Sequence, residues 1–163
     1  MKVALGVAGG IAAYKAAELV RELQQRGLEV QVIMTAHSQE FVRPLTFAAL
    51  TGQKVITSMF GSGQQEANVE SAIEHIAVAQ TIDLLLVAPA TADCLAKFAN
   101  GVADDFLTTL YLATKAPVVA APAMNVNMWE HPATQENLVM LKKRGALIAG
   151  PAEGHLASGL SGK

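Results

Sequence analysis

Lys2-Val3-Ala4-Leu5-Gly6-Val7-Ala8-Gly9-Gly10-Ile11-Ala12-Ala13-Tyr14-Lys15 is the stretch on which the fold turns. Val3 to Ala8 is a short apolar run of buried-strand type, the Gly9-Gly10 pair ends it, and a helical stretch runs from Ile11 to Arg26, closed by Gly27. Strand, glycine turn and helix in that order are the first half of a βαβ unit. The pattern then repeats outward. Apolar runs recur at Glu29 to Met34, Asp83 to Ala88, Ala116 to Ala121 and Ala146 to Ala149, with a weaker strand candidate at Lys54 to Thr57. Helical stretches fall between them at Ser38 to Leu50 closed by Gly52, Ala92 to Thr114 with a break near Gly101, and Thr134 to Arg144 closed by Gly145. This alternation predicts a Rossmann-like (flavodoxin-like) α/β fold in three layers, a parallel sheet with helices on both faces. Gly61 to Glu66 reads as a polar loop.

The bulk properties narrow the function classes. At 163 residues the chain should form one domain, and its 52% hydrophobic against 16% charged residues exceeds what an ordinary monomer needs. Some of that surplus is assigned to contacts between subunits. A net charge of -2 supplies no basic field for nucleic acid or for an anionic membrane. The lone Cys94 excludes an internal disulfide and a cysteine-based zinc cluster. No apolar run approaches membrane-spanning length and no signal-peptide pattern precedes the first strand, so a soluble, cytoplasmic protein is expected.

Candidate site residues lie at the carboxyl ends of the expected strands, where open α/β sheets bind ligands. Gly9, Gly10 and Ile11 let backbone N–H groups approach an anion at a helix start, although the spacing is neither GxGxxG nor a P-loop and equally suits a tight connection. The second strand ends in Thr35-Ala36-His37-Ser38, without the acidic residue that holds a dinucleotide ribose. A mononucleotide is preferred over NAD. Ser38 is also an N-cap candidate for the helix that follows. The turn Pro89-Ala90-Thr91 would let a flat ring lie on backbone, with Thr91 free to hydrogen-bond it; Thr91 or Asp93 caps the next helix, which is the role expected of Asp93. Pro122-Ala123-Met124-Asn125-Val126-Asn127-Met128-Trp129 presents one amide and two thioethers at a strand end. His75, placed just before a short helical segment, is the best general base of the four histidines, because His37 and His131 read as helix-start residues and His155 sits in a glycine-rich tail. No two histidines have metal-ligand spacing, so no metal is expected.

Together, Gly9 to Lys15, His75-Ile76, Pro89 to Asp93, Lys97 to Asp105 and Pro122 to Trp129 resemble the homo-oligomeric flavin-containing cysteine decarboxylases, most closely the branch acting on phosphopantothenoylcysteine in coenzyme A biosynthesis. The resemblance spans the whole chain. It implies FMN held by Gly9, Gly10, Ile11, Thr35, Ser38, Pro89, Ala90 and Thr91, with the flavin between subunits of a trimer or a multiple of trimers. It implies that His75 assists oxidation of the substrate thiol, that Asn125 holds the substrate carboxylate, and that Met124 and Met128 flank the substrate. In this family hydride transfer to flavin makes a thioaldehyde, which then releases carbon dioxide.

The tail from about residue 150 to Lys163 resembles the family's substrate-covering flap, in which a Cys supplies the proton of the final reductive step. Ser158 stands at that position, and a hydroxyl is a far weaker acid than a thiol. The expectation is therefore oxidation and decarboxylation with the last step in question. A peptidyl-cysteine decarboxylase that stops at the enethiol is the runner-up, with a flavin prenyltransferase and a non-catalytic flavin-binding subunit behind it. In bacteria the domain is commonly fused to a phosphopantothenoylcysteine synthetase, so a fused or separate synthetase partner is expected, and the chain reads as a domain excised from a longer one.

Overall fold

The computed structural model describes residues 1–59, 69–152, 154–155 and 161–162. Four longer strands and one short one form a parallel sheet in the order β2-β1-β3-β4-β5: β1 (Lys2–Val7), β2 (Glu29–Met34), β3 (Leu84–Ala90), β4 (Val118–Pro122) and β5 (Leu147–Ile148). Their near-continuous apolar sequence follows from burial on both faces. The weak candidate at Lys54 to Thr57 contributes only an isolated bridge between Ile33 and Ile56.

α1 (Lys15–Gln25) and α2 (Pro44–Thr51) cover one face, where Val20, Phe47, Leu5 and Val32 are buried. α3 (Val69–Thr81), α4 (Ala92–Asn100), α5 (Phe106–Ala113) and α7 (Pro132–Lys143) cover the other, around Leu85, Leu95, Phe98, Phe106 and Leu141. Each such fully buried side chain stabilises the fold by roughly 1.5–3 kcal/mol. Phe98 stacks on Tyr111 with ring centroids 4.2 Å apart, which locks α4 to α5. α6 (Val126–Glu130) is a single short helix between β4 and α7.

Several boundaries differ from expectation for local reasons. The first helix begins as a 3₁₀ turn at Ile11–Tyr14. The helix expected over Ser38 to Leu50 splits into a 3₁₀ turn at His37–Glu40 and α2, because Pro44 holds Arg43 in extended backbone (φ -79, ψ 147). His75 lies inside α3 rather than ahead of a helix. The stretch after Gly101 restarts at Phe106, where Asp105 forms a capping box with Thr108. Gly154–His155 pairs antiparallel with Ser161–Gly162, which form β6 and β7. The expected loop from Gly61 to Glu66 lies outside the described residues, as does Ser158. Among the described residues, no helix is long and apolar enough to cross a membrane.

Candidate active site

The strand order reverses between β1 and β3, and the turns leaving these strands meet there. The Ala8 N–H donates to the Pro89 carbonyl (3.2 Å), and the Ala123 N–H donates to that of Ala90 (3.1 Å). Pro89 and Ala90 thus tie the glycine turn and the end of β4 to one strand end. The glycine turn also touches the turn after β2: a Cβ on Gly9 would lie 2.8 Å from the His37 carbonyl carbon and 3.0 Å from the Ser38 nitrogen. At Gly10 it would meet only the Thr91 methyl, at 3.6 Å.

These turns enclose a cleft of about 190 Å³ lined by Gly9, Thr35, His37, Thr91, Asp105 and Thr108, among others. Its two ends differ in charge. Just past Gly9, beyond the residues that line the cleft, the Ile11 and Ala12 N–H groups find no acceptor among the described residues and form a ready anion site at the start of the 3₁₀ turn and α1. At the other end stand Asp93, Asp104 and Asp105, with Lys97 bonded to Asp104 at 3.1 Å and to Asp93 at 3.3 Å. The Asp104 carboxylate holds Lys97 above the usual lysine range. Burial, reinforced by Asp105 and Asp93, keeps the Cys94 thiol protonated well above the usual cysteine range, so it is no nucleophile. A phosphate fits the glycine end and is repelled from the carboxylate end.

Thr35 and Thr91 line the cleft. Of the two cap candidates for α4, Thr91 takes the role and Asp93 does not: Thr91 accepts from the Cys94 N–H at 3.1 Å, because its extended backbone (φ -80, ψ 163) presents the hydroxyl to the helix start. Ser38 caps nothing: it is fully buried inside its 3₁₀ turn and donates its hydroxyl hydrogen to the Thr35 carbonyl at 2.8 Å. Ile11 is exposed, as is Tyr14. Asn125 caps α6 through Oδ1, which accepts from the Asn127 N–H at 2.8 Å, while its Nδ2 hydrogens meet no acceptor among the described residues. Met124 packs against the core, whereas Met128 is exposed. Asp105 and Thr108 escaped the sequence reading as site residues, although the Asp-x-x-Thr spacing before an apolar run is a recognisable cap signal. No cluster of three His, Cys, Asp or Glu among the described residues is placed to hold a metal.

The parallel sheet with a cleft at its strand ends defines a Rossmann-like α/β protein, and the Flavoprotein family model matches residues 1–163. The chain belongs to that family. It is 49% identical over 158 residues to the coenzyme A biosynthesis bifunctional protein CoaBC of Vibrio vulnificus (strain YJ016), covering 97% of this chain and 38% of that protein. The chain therefore spans well under half the length of the curated relatives it matches. Among solved structures, the FMN-dependent cysteine decarboxylase SpaF superposes with a TM-score of 0.85 at 33% identity, over 100% of this chain and 90% of that one. A Cys-to-Ser variant of PPC decarboxylase, complexed with pantothenoylaminoethenethiol, superposes with a TM-score of 0.84 at 30% identity, over 99% and 87% of the two chains.

Proposed function

We propose that the chain is an FMN-dependent decarboxylase that acts on (R)-4'-phospho-N-pantothenoylcysteine on the route to 4'-phosphopantetheine and carbon dioxide. The observation that carries this reading is the convergence of the β1, β2 and β3 turns on one cleft with an anion-binding end, beside a strand end that presents Asn125. The CoaBC relatives and the PPC decarboxylase likeness support the substrate.

The Ile11 and Ala12 N–H groups would receive the FMN phosphate beside Gly9 and Gly10, and Thr35 and Thr91 would meet the rest of the cofactor. Ser38 would serve by its backbone and by holding Thr35 in place. When bound, the flavin supplies two-electron oxidation of the thiol-bearing carbon, which turns the neighbouring carboxylate into a leaving group. Asn125 would donate from Nδ2 to that carboxylate and keep it out of water, while Met128 presents an apolar wall. His75, on α3, would take the thiol proton. Position 158 is where a thiol would supply the proton that completes reduction, and the Ser158 hydroxyl, a far weaker acid, would leave the reaction at the enethiol.

A second copy of the chain completes the cofactor site in a trimer or a multiple of trimers. The cleft falls short of the roughly 300–1,000 Å³ of an ordinary ligand site. Ile11, Tyr14 and Phe41 also stand exposed on the turns that border it. The bifunctional relatives support a fused or separate synthetase partner. The free Cys94 thiol accords with a cytoplasmic setting.

The test is mass analysis of products after mixing the FMN-loaded chain with phosphopantothenoylcysteine. The expected products are carbon dioxide and an enethiol lacking two hydrogens relative to phosphopantetheine, with Ser158→Cys restoring phosphopantetheine. Absence of carbon dioxide release would overturn the reading. Efficient phosphopantetheine production by the unaltered chain would overturn the role given to position 158.

A further inference from the structure

The turn after β2 offers two hydroxyls to an anion by sequence, those of Thr35 and Ser38, and the structure withdraws one of them. Ser38 is fully buried, and its hydroxyl donates to the Thr35 carbonyl at 2.8 Å. The Thr35 hydroxyl in turn accepts from the Ser38 N–H at 3.3 Å. Between the two stands His37, an exposed residue that lines the cleft. Its side chain makes no hydrogen bond or ion pair among the described residues.

Charge decides what such a side chain can serve. The cleft lining carries three carboxylates, Asp93, Asp104 and Asp105, and two groups able to hold a positive charge, Lys97 and His37. Lys97 is already engaged, since its ammonium is bonded to Asp104 at 3.1 Å and to Asp93 at 3.3 Å. With Lys97 alone against the carboxylates, an entering phosphate would meet a lining of net negative charge. His37 is the cation-forming donor that remains. It also stands at the glycine end, where the turn after β1 lies so close that an added Cβ at Gly9 would be driven against the His37 Cβ. An imidazole donates at least one hydrogen bond in either protonation state, so the side chain can serve a phosphate oxygen throughout the neutral pH range.

We infer that His37 is the side chain that recognises the phosphate of the flavin mononucleotide, its imidazole donating to a phosphate oxygen at the glycine end of the cleft, and that it sets the preference of the chain for FMN over unphosphorylated flavin. The inference rests on the proposed cofactor. It gives the turn after β2 a contact in place of the hydroxyl that Ser38 withholds.

The test is titration of the flavin-free protein with FMN and, separately, with riboflavin, followed by the change in flavin fluorescence. His37→Ala keeps the Cβ on which the glycine turn packs and removes the imidazole. Its Kd for FMN should rise about tenfold or more, the range of one hydrogen bond to a charged group, while its Kd for riboflavin stays within about twofold of the parent. His37→Gln restores a donor and should recover most of the FMN affinity. His37→Glu sets a carboxylate against the phosphate and should bind FMN more weakly than His37→Ala. Without flavin, all three variants should melt within about 2 °C of the parent, because an exposed side chain with no intrachain bond is replaced. Unchanged FMN affinity in His37→Ala, equal losses for FMN and riboflavin, or a fall of several degrees in flavin-free melting would each overturn the inference. No binding of FMN by the unaltered protein would overturn the cofactor reading and the inference with it. Decarboxylation is measured in parallel. If carbon dioxide is not released while His37→Ala loses FMN and keeps riboflavin, the proposed reaction falls and the role of His37 stands.

Discussion

Gly9→Ala should damage this protein where Gly10→Ala should not, although the two glycines are adjacent in one turn. An added Cβ at Gly9 is driven against the Cβ of His37 and lies 2.8 Å from the His37 carbonyl carbon and 3.0 Å from the Ser38 nitrogen. Two of these atoms are backbone, so no rotamer change relieves the contact and the turns after β1 and β2 must separate. Overpacking of this kind costs about 1–3 kcal/mol, or a fall of roughly 2–12 °C in melting temperature for a chain of this size. The cofactor should feel it more, because the turns that part are the two that form the anion-binding end. A loss of about 1.4 kcal/mol there would raise the Kd for FMN about tenfold. At Gly10 the backbone is extended (φ -149, ψ 168), and the nearest atom is the Thr91 methyl at 3.6 Å. Alanine fits there without strain, so Gly10→Ala should melt within about 1 °C of the parent or slightly above it, since the unfolded chain loses freedom. Thermal unfolding and FMN titration of both variants form the assay. Equal melting and equal flavin affinity in the two variants would refute the argument that contact between the turns shapes the cleft.

Three further outcomes follow from the site geometry. Thr91→Ala should cost about 1 kcal/mol through loss of the α4 cap, while Asp93→Ala, which removes only an exposed ion pair, should cost less; chemical denaturation of both variants checks the ranking. Lys97 is raised in the folded state by Asp104, so its contribution to stability is complete below the ordinary lysine pKa of about 10.4 and is lost as pH rises through the higher folded value. Lys97→Met should therefore flatten the alkaline limb of the stability–pH curve above about pH 10, and an unchanged limb would count against the pair. Asn125→Asp keeps an oxygen for the Asn127 N–H but replaces the donating amide with a charge, so melting should hold while carbon dioxide release stops; wild-type release would remove Asn125 from the site.

The layered fold was legible because strands buried on both faces must be apolar throughout, and because glycine and proline mark where such strands end. Gly27, Gly52, Gly101 and Gly145 take left-handed backbone where helices or their last turns close, a role that sequence states directly. The strand-end location of the cleft was legible for a related reason. In an alternating α/β chain, each turn leaving a strand must reach the same edge of the sheet.

What stayed hidden depends on contacts between segments remote in sequence or on which way one backbone turns. The run from Ser38 to Leu50 looked like one helix, yet Pro44 breaks it and leaves Ser38 sealed beneath Thr35. Thr91 and Asp93 are equally good caps by residue type, and only the extended backbone at Thr91 decides between them. Asn125 read as a ligand contact, and it is also the cap that starts α6. Thr134 offered no signal, because an ordinary helical threonine becomes informative only when packing buries it, as here, where its hydroxyl meets no partner among the described residues. By itself the sequence determined the order of elements, the edge at which they meet and the glycines that let them turn, since these follow from local burial pattern and backbone freedom. The tertiary structure alone decided which hydroxyls and amides are already committed and which face a cleft, because a hydrogen bond is settled by distance in space and not by position along the chain.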